Sequence, residues 1–268
     1  MASVAANPRY EGKHHLAHHF DTRRQQFDSH KLAMWLFLVT EVLMFGGLFC
    51  AYTIYRASHP EIFLFAHTLL DKNLGAVNTI VLLFSSFTMA WAVRAAMLGE
   101  RRRLSALLAI TLLCGFGFLG IKAVEYNHKW QHGFLWGQHF AYAELQDYLA
   151  GHGTDAATGP APDPAADAHA AAVMAELDLA AAVTVAHGHD PALIPRNVHI
   201  FFGIYFVMTG LHGIHVLAGM IVIGWLLRRS LRGDFGTRNY TAVDLGGLYW
   251  HLVDLIWIFL FPLLYLIH

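Results

Sequence analysis

The hydrophobic positions of this chain fall into five long runs separated by polar connections. They lie near residues 32–56, 75–97, 104–127, 198–227 and 243–267. A helix rising 1.5 Å per residue needs about 20 residues to cross roughly 30 Å of hydrocarbon, and each run is long enough. None shows the period-2 alternation of a membrane β-strand. The pattern therefore predicts an all-α integral membrane protein, a bundle of five transmembrane helices.

Composition supports a lipid-embedded chain and excludes several classes of protein. Hydrophobic residues make up 56% and charged residues 14%, whereas about 25% charge is usual in soluble domains. The net charge of -1 and the dispersed basic residues predict no nucleic-acid partner. Cys50 and Cys114 each lie inside an apolar run, so the sequence offers neither a disulfide framework nor a CxxC site. The N-terminal segment has no apolar core of signal-peptide type, so no cleaved signal is expected.

The basic residues of the connections predict an orientation, because retained cytoplasmic loops are enriched in Lys and Arg. Five lie before the first span, four in the second connection and four in the fourth connection. The first connection has only Lys72, and the C-terminal end has none. An odd number of spans puts the termini on opposite sides. We expect the N-terminus inside, the C-terminus outside and a multi-pass protein of the bacterial inner membrane.

The third connection is far longer than the others. Four segments are predicted: a cytoplasmic extension (1–31), three spans (32–127), an outer-side insert (128–197) and two further spans (198–268). The insert is rich in Ala, His, Asp and Pro and contains a breaker-rich stretch from Gly151 to Pro164. Propensity favours helices at 139–150 and 165–186, which leaves two interpretations, an ordered helical hairpin or a low-complexity linker.

Glu41 is the clearest ionisable residue within a span. It lies about ten residues into the first run, and no Lys or Arg lies nearer to it in sequence than Lys31 and Arg56 at the two ends of the run. A charge in hydrocarbon is costly, so Glu41 is expected either to be protonated or to face another buried polar group. A neutral carboxyl bonded to a neighbouring helix is the favoured interpretation. A proton-handling or lipid-contacting role is the alternative.

Three further polar groups stand out in the later spans. Glu125 ends the third span beside Tyr126, and Lys122 three residues earlier predicts a structural ion pair. His212 and His215 share one helix face, which suits a metal pair, although the glycines around them favour a packed helix interface. Asp254 can reach His251 or a histidine of the fourth span.

Four stretches together resemble subunit III of the haem-copper oxidases, in the five-helix bacterial form of cytochrome c oxidase subunit III. They are Trp35–Glu41, Asn78–Thr79 with Ser85–Ser86 and Met89–Trp91, Tyr205–Val216, and Tyr249–Trp257. The Glu125–Tyr126 pair also fits. The resemblance covers all five spans in order, and only the long insert and the N-terminal extension are expected to fall outside it.

The resemblance implies a V-shaped arrangement of helices whose cleft holds phospholipid. It implies a chain with no active site, haem, copper or other metal of its own, the haem and copper lying in partner subunits. The partners would be oxidase subunits I and II, in a complex that oxidises cytochrome c, reduces oxygen to water and pumps protons. The chain would stabilise subunit I and support proton uptake. The polar and cleft candidates are Glu41, Asn78, Glu125, His212, His215, Trp250, His251 and Asp254.

Other functions remain open at this point. The same five-helix type occurs with quinol oxidases and nitric oxide reductases, and nothing in the sequence identifies the electron donor. A bis-histidine haem b protein could use His212 or His215 with His251. A transporter would be expected to have repeats and broken helices, and the sequence has neither. The acidic insert is expected to meet an additional subunit or a cytochrome.

Overall fold

The computed structural model describes residues 20–131, 145, 197–237 and 239–267. The helices of this part are α1 (Arg23–Ser58), α2 (Pro60–Ala66), α3 (Lys72–Met97), α4 (Arg101–Gln131), α5 (Val198–Arg232) and α6 (Thr241–Tyr265). All but α2 are long and apolar enough to cross a membrane. The prediction of an all-α membrane protein with five spanning helices is confirmed.

Helix α1 begins well before the apolar run that predicted it. The run starts near residue 32, whereas the helix starts at Arg23. The Thr22 hydroxyl accepts a hydrogen bond from the Gln25 amide (3.1 Å), and Gln25 Oε1 accepts one from the Asp21 amide (2.9 Å). This reciprocal pattern satisfies two donors at the helix start. Hydropathy detects only the apolar part of a helix, so it placed the start too late.

A short helix that the sequence analysis missed fills the first connection. Helix α2 is followed by a 3-10 turn (His67–Leu69). Its Phe63 is buried, and the ring lies edge-on to Tyr52 of α1 and Phe201 of α5, with centroids 5.3 Å away in each case. Pro60 supplies the fixed φ that suits a first helical turn. The connection is therefore a packed element.

Glycines follow the ends of α3 and α5, and an aspartate caps the start of α3. Gly99 (φ +72°) follows α3 and Gly233 (φ +82°) follows α5. Glycine adopts this left-handed conformation without strain, so each allows the chain to leave its helix at once. At the start of α3, Asp71 Oδ1 accepts hydrogen bonds from the amides of Asn73 (2.9 Å) and Leu74 (3.1 Å).

Apart from residues that the structure does not describe, the chain divides into two compact units. The first unit comprises Met1–Met44, Leu83–Gly115 and Val216–Asp254. The second unit comprises Phe45–Leu82, Phe116–His215 and Leu255–His268. Each contains segments of all five spanning helices. The polar side chains of each unit are described separately below.

Helix α1 buries a single narrow stripe. Within Arg24–Ser58 the buried side chains are Leu38, Phe45 and Tyr52, seven residues apart. The Tyr52 hydroxyl donates to the Leu263 carbonyl. Large apolar residues elsewhere on α1 are exposed, including Leu43 at 70%. Lipid chains or another apolar protein surface must cover them in a membrane.

Some predictions concern residues that the structure does not describe. These are the two insert helices at 139–150 and 165–186, the breaker-rich stretch and the acidic residues of the insert. They stay predictions.

Candidate functional site

Trp250 of α6 is the buried centre of the first unit. Its indole N–H donates to Ser85 Oγ of α3 (3.0 Å). A Cβ atom at Gly219 of α5 would lie 2.8 Å from the indole Cε3, and one at Gly115 of α4 would lie 3.2 Å from Cη2. The ring therefore occupies a slot formed by two glycines. Trp250 thereby joins α3, α4 and α5 to α6, through one hydrogen bond to α3 and close packing against the glycines of α4 and α5.

Asp254 and His251 of α6 both bind serines of α3. Asp254 is 2% exposed, and its Oδ2 accepts a long hydrogen bond from Ser85 Oγ (3.5 Å). The half-buried His251 has its Nδ1 2.7 Å from Ser86 Oγ. The sequence analysis expected Asp254 to pair with a histidine. The structure gives each group a neighbouring serine instead, because the Ser85–Ser86 pair lies against this turn of α6.

Hydroxyl pairs link further helices of the first unit. Thr88 of α3 and Thr111 of α4 have their Oγ1 atoms 2.8 Å apart, and Ser105 of α4 and Ser230 of α5 have their Oγ atoms 2.8 Å apart. Interhelical bonds of this kind hold helices together where lipid provides no hydrophobic driving force. They add to the contacts made by Trp250.

Glu41 lies on the side of α1 that approaches the start of α6. It is partly buried and interacts electrostatically with the Tyr249 hydroxyl. Phe37, one turn earlier, stacks on the Tyr249 ring with centroids 6.0 Å apart. Lys31 Nζ lies 3.1 Å from Asp244 Oδ2. Glu41 therefore lies near one polar group of α6, the Tyr249 hydroxyl. Its protonation state stays a prediction.

The second unit contains a buried ion cluster on one face of α4. Lys122 Nζ lies 2.8 Å from Glu125 Oε2, and Lys129 Nζ lies 2.8 Å from Glu125 Oε1. The side chains of all three are at most 9% exposed. The predicted Lys122–Glu125 pair is confirmed. Lys129 extends it, because residues three and four apart are neighbours on a helix.

Two tyrosines from other helices complete this cluster. The hydroxyls of Tyr205 of α5 and Tyr265 of α6 donate to Glu125 Oε1 at 2.8 and 2.6 Å. Lys122 Nζ also donates to the Tyr265 hydroxyl (2.7 Å) and lies 4.6 Å from the centroid of the Trp257 ring. Glu125 thus receives four hydrogen bonds, and the cluster joins α4, α5 and α6.

The two histidines of α5 have different surroundings within the second unit. His212 is fully buried, with its ring centroid 5.6 Å from that of Phe118 and 5.3 Å from that of Trp257. His215 is half-buried, with Nδ1 2.8 Å from the Leu211 carbonyl of its own helix and its ring near Phe45. Both lie in a packed helix interface. The described residues include no group of three or more His, Cys, Asp or Glu side chains arranged to hold a metal.

Asn78 of α3 is also fully buried in the second unit. The next residue, Thr79, accepts a hydrogen bond from the Trp257 indole N–H (3.1 Å) and donates one to the Gly75 carbonyl (2.9 Å). Trp257 of the second unit thus resembles Trp250 of the first, because in both residues the indole N–H donates a hydrogen bond to a hydroxyl group of α3.

The structure divides the predicted polar residues between the two units. Trp250, His251 and Asp254 come together in the first unit around Ser85 and Ser86, and Glu41 lies there too, near Tyr249. Asn78, Glu125, His212 and His215 lie in the second unit. The buried polar contacts of Trp250, His251, Asp254 and Glu125 join neighbouring helices.

The family model described as cytochrome c oxidase subunit III matches residues 4–133 and 179–268, which is well over half of the chain. The chain belongs to the cytochrome c oxidase subunit III family. The cytochrome c oxidase subunit 3 of Thermostichus vulcanus is 28% identical over 252 residues, covering 92% of each chain. The cytochrome bo(3) ubiquinol oxidase subunit 3 of Pseudomonas putida is 23% identical over 239 residues, covering 88% of this chain and 84% of that protein.

A third relative carries subunit III within a larger polypeptide. The heme-copper oxidase subunit I+III of Aeropyrum pernix is 27% identical over 246 residues, which cover 90% of this chain and 23% of that protein. The match therefore falls on a minor part of the longer chain. The name of that protein combines the two subunits.

The extent of the subunit III match corrects one expectation and supports another. The N-terminal extension was expected outside the family resemblance, but the match begins at residue 4, so this expectation was wrong. Residues 134–178 are unmatched and lie within the predicted insert. This central part of the insert is thus an addition to what the family shares, whereas residues 128–133 and 179–197 of the insert fall within the match.

Sequence reasoning missed three members of the ion cluster, namely Lys129, Tyr205 and Tyr265. The three- and four-residue spacing of Lys122, Glu125 and Lys129 could have indicated a cluster on one helix face. The predicted apolar run ends near residue 127, however, and so leaves Lys129 outside the helix. The two tyrosines gave no such signal, because their contribution depends on which helices are neighbours in space.

Proposed function

We propose that this chain is the non-redox subunit III of a proton-pumping haem-copper terminal oxidase that oxidises cytochrome c and reduces oxygen to water. Its role is to stabilise the catalytic subunit I and to support proton uptake there, in a bacterial inner membrane and together with subunit II. The observation that carries the proposal is the match over nearly the whole chain to a protein named as subunit I+III. A single polypeptide carrying both names supports a subunit I partner for this chain.

The exposed surface of the chain supports a partner and bound lipid. Helix α1 buries only the stripe of Leu38, Phe45 and Tyr52, so most of its circumference must face lipid or another subunit. We assign phospholipid to the cleft that the family resemblance implies, with Glu41 beside it. Haem and copper belong to the partner subunits in this proposal.

The packing of His212 disfavours the haem b alternative. Phe118 and Trp257 lie against the ring. A porphyrin ligated by His212 would have to displace both aromatic side chains. This argues against one of the two α5 histidines that the haem b alternative could use, and the family match supports the oxidase subunit.

Isolation of the complex through this chain tests the proposal. With an affinity tag on this chain, we expect mass spectrometry to identify subunits I and II and the optical spectrum to show haem. An untagged strain purified in parallel is the control. A tagged chain that is purified intact, but without haem-copper subunits, would contradict the proposal.

The same preparation distinguishes the candidate electron donors. We expect oxygen consumption with reduced cytochrome c. The bo(3) relative makes a quinol oxidase the second candidate, and turnover with ubiquinol alone would favour it. Nitric oxide reduction without oxygen consumption would point to a nitric oxide reductase complex.

A deletion tests the proposed role of the insert. Deletion of residues 140–190 should release any additional subunit bound by the insert.

The proposed orientation has a separate test. The Lys and Arg bias of the connections supports an orientation with the N-terminus and the α3–α4 connection inside and residue 268 outside. Alkaline phosphatase, which is active only outside the cytoplasm, should be active when fused after residue 268 and inactive when fused after Gly99. The reverse result would contradict the orientation.

A further inference from the structure

Two polar side chains of the second unit are fully buried among apolar and aromatic neighbours. His212 of α5 and Asn78 of α3 are both 0% exposed. Among the residues that the structure describes, neither ring nitrogen of His212 and neither amide atom of Asn78 has a hydrogen-bond partner. A neutral imidazole has one donor and one acceptor, and an amide has two donors and an acceptor oxygen. Leaving such groups unsatisfied in a closed interior is costly.

Several buried polar groups of the same unit do have hydrogen-bond partners. Glu125 receives four, Thr79 both accepts and donates, and Thr209 Oγ1 donates to the Tyr205 carbonyl (2.6 Å). His212 and Thr79, the neighbour of Asn78, both contact Trp257. His212 and Asn78 therefore lie on two helices that pack against the same tryptophan.

Burial limits what can bind these atoms. With no exposed surface, neither side chain can receive a lipid headgroup or a large anion. A metal ion would need more ligands than two isolated groups provide, and the described residues include no cluster of three candidate ligands. Water is small enough, and it both donates and accepts hydrogen bonds.

We propose that His212 and Asn78 are binding sites for ordered internal water in the second unit. At each site, water supplies the donors and acceptors that the neighbouring apolar and aromatic side chains do not. These waters are structural parts of the helix interface, like the serine and threonine bridges of the first unit.

A density map of the intact, unmodified protein with its co-purified partners, at a resolution that shows waters, tests this directly. We expect peaks about 2.6–3.2 Å from a His212 nitrogen and from an Asn78 amide atom. The proposal fails if these atoms have no such peaks. It also fails if residues 132–196 or a partner subunit supply the hydrogen bonds instead.

A pair of matched variants provides a second, independent measurement. If His212 is dry and unsatisfied, His212→Phe removes a buried polar group and should raise the unfolding temperature. If His212 binds water, the variant should lower it by roughly 2–4 °C. His215→Phe, on the same helix, is the control, because the His215 Nδ1 already has the Leu211 carbonyl. A rise specific to the His212 variant would overturn the proposal.

Discussion

Replacement of Glu125 by glutamine is expected to lower the free energy of unfolding by about 3–5 kcal/mol. Glu125 is 4% exposed and compensates Lys122 and Lys129, which are equally buried. Glutamine preserves the shape of the side chain but leaves two ammonium groups without their shared carboxylate. Thermal or denaturant unfolding of the protein in lipid nanodiscs, followed by tryptophan fluorescence, measures the loss.

Two comparisons isolate the buried charge as the cause. Glu100→Gln removes an exposed ion pair with Arg103 (2.9 Å) and should cost about 0.2–1 kcal/mol. The triple variant Lys122→Leu, Glu125→Leu, Lys129→Leu removes the charges together and should recover most of the loss, because apolar replacement of a whole buried ion cluster is often neutral. If Glu125→Gln lowers the free energy of unfolding no more than Glu100→Gln does, the buried ion cluster does not stabilise the fold.

Substitution of Gly219 by alanine should lower the free energy of unfolding by about 1–3 kcal/mol. The added methyl group would lie 2.8 Å from the Trp250 indole, which cannot move away because Ser85 and Gly115 hold its other sides. The expected result is a wider spacing between α5 and α6 and faster hydrogen exchange around Trp250.

Gly224 on the same helix is the matched control. A Cβ atom there would meet nothing within 4 Å. Alanine has the higher helix propensity, so Gly224→Ala should raise the free energy of unfolding by about 0.5–1 kcal/mol, measured by the same unfolding experiment. Equal effects of the two alanine substitutions would refute the idea that Gly219 is needed to accommodate Trp250.

Hydropathy was sufficient to locate the five spanning helices because a membrane leaves the backbone few alternatives to helix. It could not locate their ends. The start of α1 at Arg23 depends on the hydrogen bonds of Thr22 and Gln25, which lie in polar sequence. Helix α2, with seven residues, is too short for a spanning window and is held by aromatic packing.

The candidate sites were predictable only where the interacting residues share a helix. The Lys122–Glu125 pair followed from a three-residue spacing, and Lys129 could have been added by extending the same helix. The tyrosines of α5 and α6, and the serine partners of Asp254 and His251, follow from contacts between helices. Sequence spacing within one helix has no information about those contacts.

The ion cluster of α4 has a consequence for how the chain is made. Both lysines and the carboxylate that compensates them lie within eight residues of one helix, whereas the tyrosines belong to helices synthesised after the insert. The translocon therefore receives α4 with its charges already neutralised in part by local pairing, which lowers the cost of releasing it into lipid. Helices α5 and α6 then supply the hydroxyl groups that complete the hydrogen bonds of the carboxylate during the later assembly of the bundle.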